Sequence, residues 1–512
     1  MHRPIAEPNL AGAMLRRAEL NPERTALIFE EKETLYGDFG ESVRRQATLL
    51  REGGVCVGDR VGYLGFNHPA LLETLFAAQT LGAIFVPLNF RLTAEELTFI
   101  INDAGIHTLV VDDALRPVLE PAREKLCCRH YFSSEGEARG WRHLETERAV
   151  APPIEAAVSV DQHDVAIIMY TSGTTGLPKG AMLTHGNILW NNINAMLAFG
   201  GSREDVIITV APLFHIGGLN VMTLHAFHAG ATLVLQRNFD AVKVLADIAR
   251  YKVSHMFGAP AMYLFMSQQP QFTDTDLSSI QTLICGAAPV PESLIELYGK
   301  RGISFCQGYG LTETAPFSAF LTPEWAVSKL GSAGQAPMFS DTRIVDEDNQ
   351  PVAPGERGEI CLRGPNTMKG YWNRPDATAA AIDSEGWFHS GDVGYLDEDG
   401  FLFICDRLKD MVISGGENVY PAEVESVLYK HDAIAEVAVI GLPDDKWGEA
   451  VTAVAALHEG KELTLEELRA FAEPFLARYK LPLRLHVVDE LPRNPAGKVL
   501  KFVLKEQLTG GD

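Results

Sequence analysis

The sequence predicts an α/β chain with largely parallel sheets, closing in a smaller α+β unit. Two observations predict it. Helical patterns alternate with short apolar runs through most of the chain, as when buried strands lie between layers of helices. Near residue 405 this alternation gives way to a compact charged run and a shorter set of strands and helices.

The elements follow in order. Residues 70–88 form the most apolar stretch, yet Glu73, Gln79 and Pro87 interrupt it. It reads as a buried helix running into a strand, not a membrane span. A strand follows at 108–111, and the paired prolines of 151–160 suit a linker between early and middle subdomains. The apolar run 165–170 is a buried strand and 187–197 a helix. A strand at 280–285, a helix at 291–298 and a strand at 303–306 continue the pattern. Strand 401–405 leads into Asp406-Arg407-Leu408-Lys409-Asp410, a surface turn or a hinge between two domain-sized patterns. Beyond it Pro421 stands at a first helical turn. Strands are expected at 435–441 and 451–456. A helix opens at Thr464, where Glu467 completes a capping box.

Composition narrows the function. The 512 residues suffice for two or more domains, and 46% hydrophobic with 22% charged residues is ordinary for a globular protein. A net charge of −23 argues against a nucleic-acid partner. The seven cysteines are scattered without a CxxC pair, and the odd count argues against a complete disulfide framework. A reduced, cytoplasmic setting fits best. Residues 1–22 lack the apolar core of a signal peptide. Peripheral membrane contact stays open, as does the choice between monomer and homodimer.

The richest chemical signal is Thr171-Ser172-Gly173-Thr174-Thr175-Gly176-Leu177-Pro178-Lys179-Gly180, directly after the 165–170 strand. Ligands of α/β proteins gather at strand carboxyl ends. Glycines admit close approach of backbone N–H groups, hydroxyls donate hydrogen bonds, and the lysine is a point charge. The set suits a polyphosphate, or it is an ordinary Gly/Thr/Ser turn. It is not a Walker loop, because Pro178 stands between glycine and lysine.

Other motifs are compatible with the same ligand. Gly286-Ala287-Ala288-Pro289 follows a strand, and its small residues let a flat ring lie against backbone. In Gln307-Gly308-Tyr309-Gly310-Leu311-Thr312-Glu313-Thr314, Tyr309 can stack on a base and Glu313 can hold magnesium. Asp392, in Ser390-Gly391-Asp392, is a carboxylate of the kind that accepts from ribose hydroxyls. Each residue taken singly is as well explained as core or solvated surface.

In order and wording, 171–180, 309–313, 390–392, 406–410 and Asn494-Pro495-Ala496-Gly497-Lys498 resemble the adenylate-forming superfamily, and within it the AMP-forming acyl-CoA synthetases. The likeness spans essentially the whole chain. It implies a large N-terminal domain of stacked α/β subdomains (1–405), a hinge (406–410) and a small mobile α+β C-terminal lid (411–512), with the active site between the domains. It implies ATP, Mg2+ and coenzyme A: a carboxylate joins ATP to give acyl-AMP and pyrophosphate, and the acyl group then passes to the CoA thiol.

The resemblance also assigns residues. Thr171, Ser172, Gly173, Thr174, Thr175, Gly176 and Lys179 belong to the phosphate loop, and Glu313 to magnesium. Tyr309, flanked by Gly308 and Gly310, frames adenine with Gly286, Ala287, Ala288 and Pro289; Thr312 adjoins. Asp392 and Arg407 take the ribose hydroxyls. Lys498 is the principal adenylation lysine, and Asp406 is the hinge. Gly415 and Gly416 line the pantetheine tunnel.

For the acid the resemblance points to Pro212-Leu213-Phe214-His215-Ile216-Gly217-Gly218-Leu219, with His215 as the gate. Where hydroxycinnamate-activating relatives often carry tyrosine, this chain has Gly217. Its missing side chain removes a wall and favours a medium- or long-chain fatty acid. Phe257, Met262, Ala315, Phe317 and Met338 are candidate lining, and methionine suits a flexible chain. An aromatic acid, as in 4-coumarate ligases, is the alternative. Transfer to a carrier protein is another, as are a luciferase-like oxygenase and a silent nucleotide-binding module.

Overall fold

A computed structural model describes residues 9–136, 139–171, 178–286, 290–303, 305–407, 410–414, 417–444, 446–493 and 499–509. The chain divides into two compact units: 1–342 with 362–388, and 343–361 with 389–512. The packing division therefore falls earlier than residue 405, because the strands before it pack with the C-terminal part of the chain.

The first unit is built on two sheets that are parallel except at one or both edges. In one, the strands Phe305–Gly310, Thr282–Gly286, His255–Gly258, Val206–Thr209, Thr232–Leu235 and Thr25–Phe29 run parallel in that spatial order. Phe317–Leu321 and Lys32–Leu35 flank them antiparallel. The interior strands are rich in buried apolar residues, Leu283 and Phe305 among them, as the middle of a parallel sheet requires. One layer over this sheet is a core of Val244, Ile248, Met256, Tyr263, Leu283 and Phe305.

The other sheet orders Val165–Thr171, Ile84–Leu88, Arg60–Leu64, Ile106–Val111, His130–Ser133 and Arg142–His143 in parallel. The predicted helix-then-strand over 70–88 is Pro69–Thr80 followed by Ile84–Leu88, with proline at the helix start. The predicted phosphate loop lies between two strands. After Val165–Thr171 the chain returns as the antiparallel strand Lys179–Thr184, with Thr171 opposite Lys179. A two-residue strand, Gly370–Tyr371, pairs on its far side.

The helix His185–Phe199 opens with a capping box, Thr184 and Asn187 each accepting from the other's backbone N–H. Its predicted bounds, 187–197, are two residues short at each end, the usual fraying uncertainty.

The second unit holds a four-stranded sheet of Asp341–Val345, Gly358–Arg363, Phe388–Leu396 and Leu402–Arg407. It also holds a sheet centred on the long antiparallel pair Ile434–Asp444 and Gly448–Leu457, with Arg484–Val488 added parallel. Both strands run past their predicted ends, 435–441 and 451–456. The helix Pro421–Leu428 begins on its proline. Thr464 caps Leu465–Ala472 with Glu467 as expected. Val439, Val451, Ala453 and Leu468 form a core on one face of that sheet, and Ile440, Val454 and Leu504 one on the other.

Candidate functional site

In the first unit, four expected site segments stand at the carboxyl ends of neighbouring parallel strands. Phe257 lies near the end of its strand with Ile284 as its register partner, and Gly286 pairs with Gly308 on the next strand. Gly217 follows the Val206–Thr209 strand and opens a π-helical turn, Gly217–Thr223, a geometry common at functional sites.

Glycines here mark ring contacts. A Cβ on Gly217 would lie 2.9 Å from Cε1 of Phe257, and one on Gly286 would lie 3.3 Å from Cε2 of the same ring. Phe257 therefore presses against both glycines. The space that Gly217 was expected to open is bounded by this ring. A Cβ on Gly308 would lie 3.0 Å from the Phe317 ring, and one on Gly310 would overlap the Pro316 carbonyl. Of the other expected lining, Ala315 and Phe317 are buried, Met262 packs on the core of the sheet, and Met338 is 76% exposed.

Glu313 sits in a single 3-10 turn, Thr312–Thr314, and is only 8% exposed. The hydroxyl of Tyr371 donates to its Oε1 at 2.8 Å, and its carbonyl accepts from the Met368 N–H at 2.7 Å. Burial, and then the Glu313 carboxylate, hold the Tyr371 phenol well above its usual pKa, so it remains a donor. The Lys179 ammonium lies 5.4 Å from the centre of the Tyr371 ring. Tyr371 thus joins the lysine expected at the phosphates to the expected magnesium ligand. A hard carboxylate oxygen, oriented by a neutral donor, fits Mg2+.

A row of asparagines places these loops. Asn187, Asn191 and Asn194 recur at helical spacing along one face of His185–Phe199 and are buried. Asn187 Nδ2 donates to the carbonyls of Pro365 (2.8 Å) and Thr367 (2.7 Å). Asn191 accepts from Phe317 N–H at 3.0 Å and donates to the Asn220 carbonyl at 2.9 Å. Asn194 accepts from Phe339 N–H at 3.2 Å. Asn220 Nδ2 donates to the Ala315 carbonyl at 2.6 Å, and Asn366 Nδ2 to those of Thr314 and Phe317, both at 2.7 Å. Ala315 has φ +63°, a left-handed conformation costing a non-glycine residue about 1–2 kcal/mol. The asparagine amides hold it there.

Sequence reasoning missed Tyr371 and these asparagines. A signal existed: asparagine is a poor helix former, so its recurrence at 187, 191 and 194 calls for partners outside the helix.

His215 stands beside Phe214, ring centres 4.3 Å apart, and Arg91 lies 5.9 Å from the Phe214 ring. Burial, and secondarily Arg91, push His215 down to about 4, so its imidazole is neutral at physiological pH. Its Nε2 is buried without a hydrogen-bond partner among the described residues.

In the second unit, Asp392 is buried and its N–H donates to Ser390 Oγ at 3.0 Å. Asp392 and Arg407 are register partners on adjacent antiparallel strands, and Asp406 pairs with Val393. The two residues expected at the ribose are thus neighbours, though 15 positions apart in sequence. Arg493 and Val499, flanking the expected catalytic lysine, form an antiparallel bridge. Ser172, Gly173, Thr174, Thr175, Gly176, Ala287, Ala288, Pro289, Gly415, Gly416 and Lys498 lie outside the described residues.

Among the described residues no helix is long and apolar enough to cross a membrane, and all seven cysteines are free thiols. Cys285 and Cys306 are buried, their thiols raised by desolvation.

Comparison with known proteins gives two family matches: AMP-binding enzyme over residues 14–372 and AMP-binding enzyme C-terminal domain over 423–498. A feruloyl-CoA synthase of Amycolatopsis sp. is 43% identical over 488 residues, 95% of this chain and 96% of the relative. Among solved structures, a Mycobacterium tuberculosis fatty acyl CoA synthetase superposes with TM-score 0.81 at 35% identity, covering 98% of each chain. The o-succinylbenzoate coenzyme A synthetase of Bacillus subtilis, solved with ATP and a magnesium ion, gives TM-score 0.85 at 34% identity. That match covers 97% of this chain and 99% of the other.

Proposed function

The chain belongs to the AMP-binding enzyme family and is an acid–thiol ligase, and from that premise we propose that its acid is a compact aromatic carboxylate. The observation that carries this reading is the Phe257 ring, lying against Gly217 and Gly286 where a long alkyl chain would need open space. A flat substrate ring gains an edge or face contact from such a wall. Met338 is largely exposed and Met262 is committed to the core, so neither supplies a flexible lining. Likeness to a feruloyl-CoA synthase supports the same reading. A fatty acid is the second reading, supported by likeness to a fatty acyl CoA synthetase.

In the first half-reaction a carboxylate oxygen of the acid attacks the α-phosphorus of ATP, and pyrophosphate leaves. In the second, the CoA sulfur attacks the acyl carbonyl, losing its proton, and AMP leaves. The first step brings two anions together, so fixed positive charge and positioning supply much of the rate. Lys179 and the hydroxyls of its loop steady the phosphates, and Lys498 contacts carboxylate and α-phosphate. Asp392 and Arg407 hold the ribose, and Tyr309 frames adenine. Glu313 would hold Mg2+, which would supply neutralisation of the phosphate charge. Tyr371 fixes that carboxylate. His215, neutral at working pH, offers one uncharged hydrogen bond to the acid without repelling or trapping it. Asp406 serves as the hinge between the two half-reactions.

The test is a panel of acids, from short to long alkyl chains plus cinnamates and arylacetates, assayed for ATP- and CoA-dependent AMP release. Highest kcat/KM is expected for an aromatic acid. Selective turnover of fatty acids overturns this choice of acid and leaves the ligase assignment standing.

A further inference from the structure

Glu359, Cys361 and His389, none of which the ligase mechanism uses, bring three different donor atoms within 4.8 Å of one another in the second unit. The cause is local. Glu359 and Cys361 are two apart on the strand Gly358–Arg363, so their side chains leave the same face of the sheet. His389 stands on the adjacent strand, Phe388–Leu396. One imidazole nitrogen faces both partners: Nδ1 lies 2.8 Å from Glu359 Oε2 and 3.5 Å from Cys361 Sγ. A single proton on Nδ1 serves only one of these acceptors fully. Cys361 is fully buried, while the Glu359 and His389 side chains are each 21% exposed, leaving an approach from solvent.

We propose that Glu359, Cys361 and His389 form a binding site for one thiophilic divalent cation of the zinc class. The donor set is a thiolate, an imidazole nitrogen and a carboxylate oxygen, with a fourth position for water, the arrangement of an open zinc site. The thiolate selects against Mg2+, so the site is separate from the magnesium requirement of ATP chemistry. On binding, the Cys361 thiol releases its proton to solvent. His389 carries its single proton on Nε2 and gives the Nδ1 lone pair, and Glu359 Oε2 gives the anionic oxygen. Two negative donors then balance the dication. Both strands are held in one sheet, so the ligands are preorganised. Glu359 Oε1 also accepts the Gly391 N–H at 3.0 Å, which ties the site to the turn before Asp392.

The experiment titrates chelator-treated full-length protein with Zn2+ alone by calorimetry, in buffer containing Mg2+, and with Co2+ by absorption. Expected are one tight equivalent and a thiolate-to-cobalt charge-transfer band. In Cys361→Ser the band disappears, and affinity falls by more than the about 100-fold that loss of a mere outer partner costs. His389→Gln loses the tight equivalent as well. Cys127→Ser, a change at an exposed cysteine elsewhere, keeps it. Should Cys361→Ser not fold, Glu359→Gln decides: it is expected to weaken Zn2+ binding while keeping the cobalt–thiolate band. Absence of the band in the wild type, or an unchanged tight equivalent in Cys361→Ser or Glu359→Gln, overturns the proposal.

Discussion

The hydroxyl of Tyr371 donates a 2.8 Å hydrogen bond to Oε1 of Glu313, and the same ring lies under the Lys179 ammonium. One tyrosine, on a two-residue strand, therefore aligns the carboxylate proposed for magnesium with the lysine proposed for the phosphates. Hydrogen bonds to charged groups contribute about 1.5–3 kcal/mol. Tyr371→Phe keeps the ring and removes only the donor. Adenylation should fall about 10- to 100-fold, with a higher Mg2+ concentration needed for half-maximal rate. Pyrophosphate release measured across a magnesium series checks this; an unchanged magnesium response would show Tyr371 to be packing alone.

Phe257 and Gly217 lie together as one wall of the proposed acid pocket. Phe257→Ala should raise kcat/KM for longer alkyl acids relative to compact aromatic ones by about 10-fold or more, the scale of a change in pocket volume. Gly217→Ala sets a methyl 2.9 Å from the ring and forces it aside. Such overpacking costs roughly 1–3 kcal/mol, so activity toward the aromatic acid should drop. The double variant should recover part of that loss, which a kinetic double-mutant cycle measures directly.

Asn366 carries a structural load next to Glu313. Its amide serves the carbonyls of Thr314 and Phe317, and its Oδ1 accepts from Ser340 Oγ at 2.8 Å. Asn366→Ala leaves buried acceptors unpaired at about 1–3 kcal/mol each. Urea unfolding should show a loss of roughly 2–5 kcal/mol, accompanied by weakened adenylation.

Lys498 is proposed to act in the first half-reaction alone. Lys498→Ala should reduce acyl-AMP formation by at least about 100-fold, as loss of a charge-stabilising group does. Thioester formation from supplied acyl-AMP should be largely spared. Equal loss in both assays would remove the assignment.

Three buried histidines set an acid limit. His185, His215 and His225 are each lowered to about 4, in every case chiefly by burial. Below about pH 6.5 the unfolded chain takes up protons that the native state refuses. Stability should therefore be flat above that pH and decline as pH falls toward about 4. Each histidine contributes on the order of 3 kcal/mol once both states would be protonated. Thermal unfolding between pH 8 and 5 should show the decline, with a shallower slope in His185→Asn.

How much was legible depended on range. Alternating apolar runs gave the α/β class because burial between helices demands them. Thr464 with Glu467 and Pro421 gave helix starts, since capping is settled within four residues. The ordered motifs placed the family, and the composition of the 171–180 loop pointed to phosphate. The acid was read differently from sequence and from packing. Gly217 looked like an absent wall because sequence lists the side chain a residue lacks, not the one a distant strand puts in its place. Phe257 arrives there only through the parallel register of Val206–Thr209 with His255–Gly258. Likewise Tyr371 and Glu313 lie 58 residues apart, and no local pattern links a phenol to a carboxylate across that distance. Periodicity, capping and motif chemistry act within a few residues and are written in the chain itself. Hydrogen bonds and ring contacts between remote strands exist only once sheet order and register are fixed, and here they orient the carboxylate proposed for magnesium and shape the proposed acid pocket.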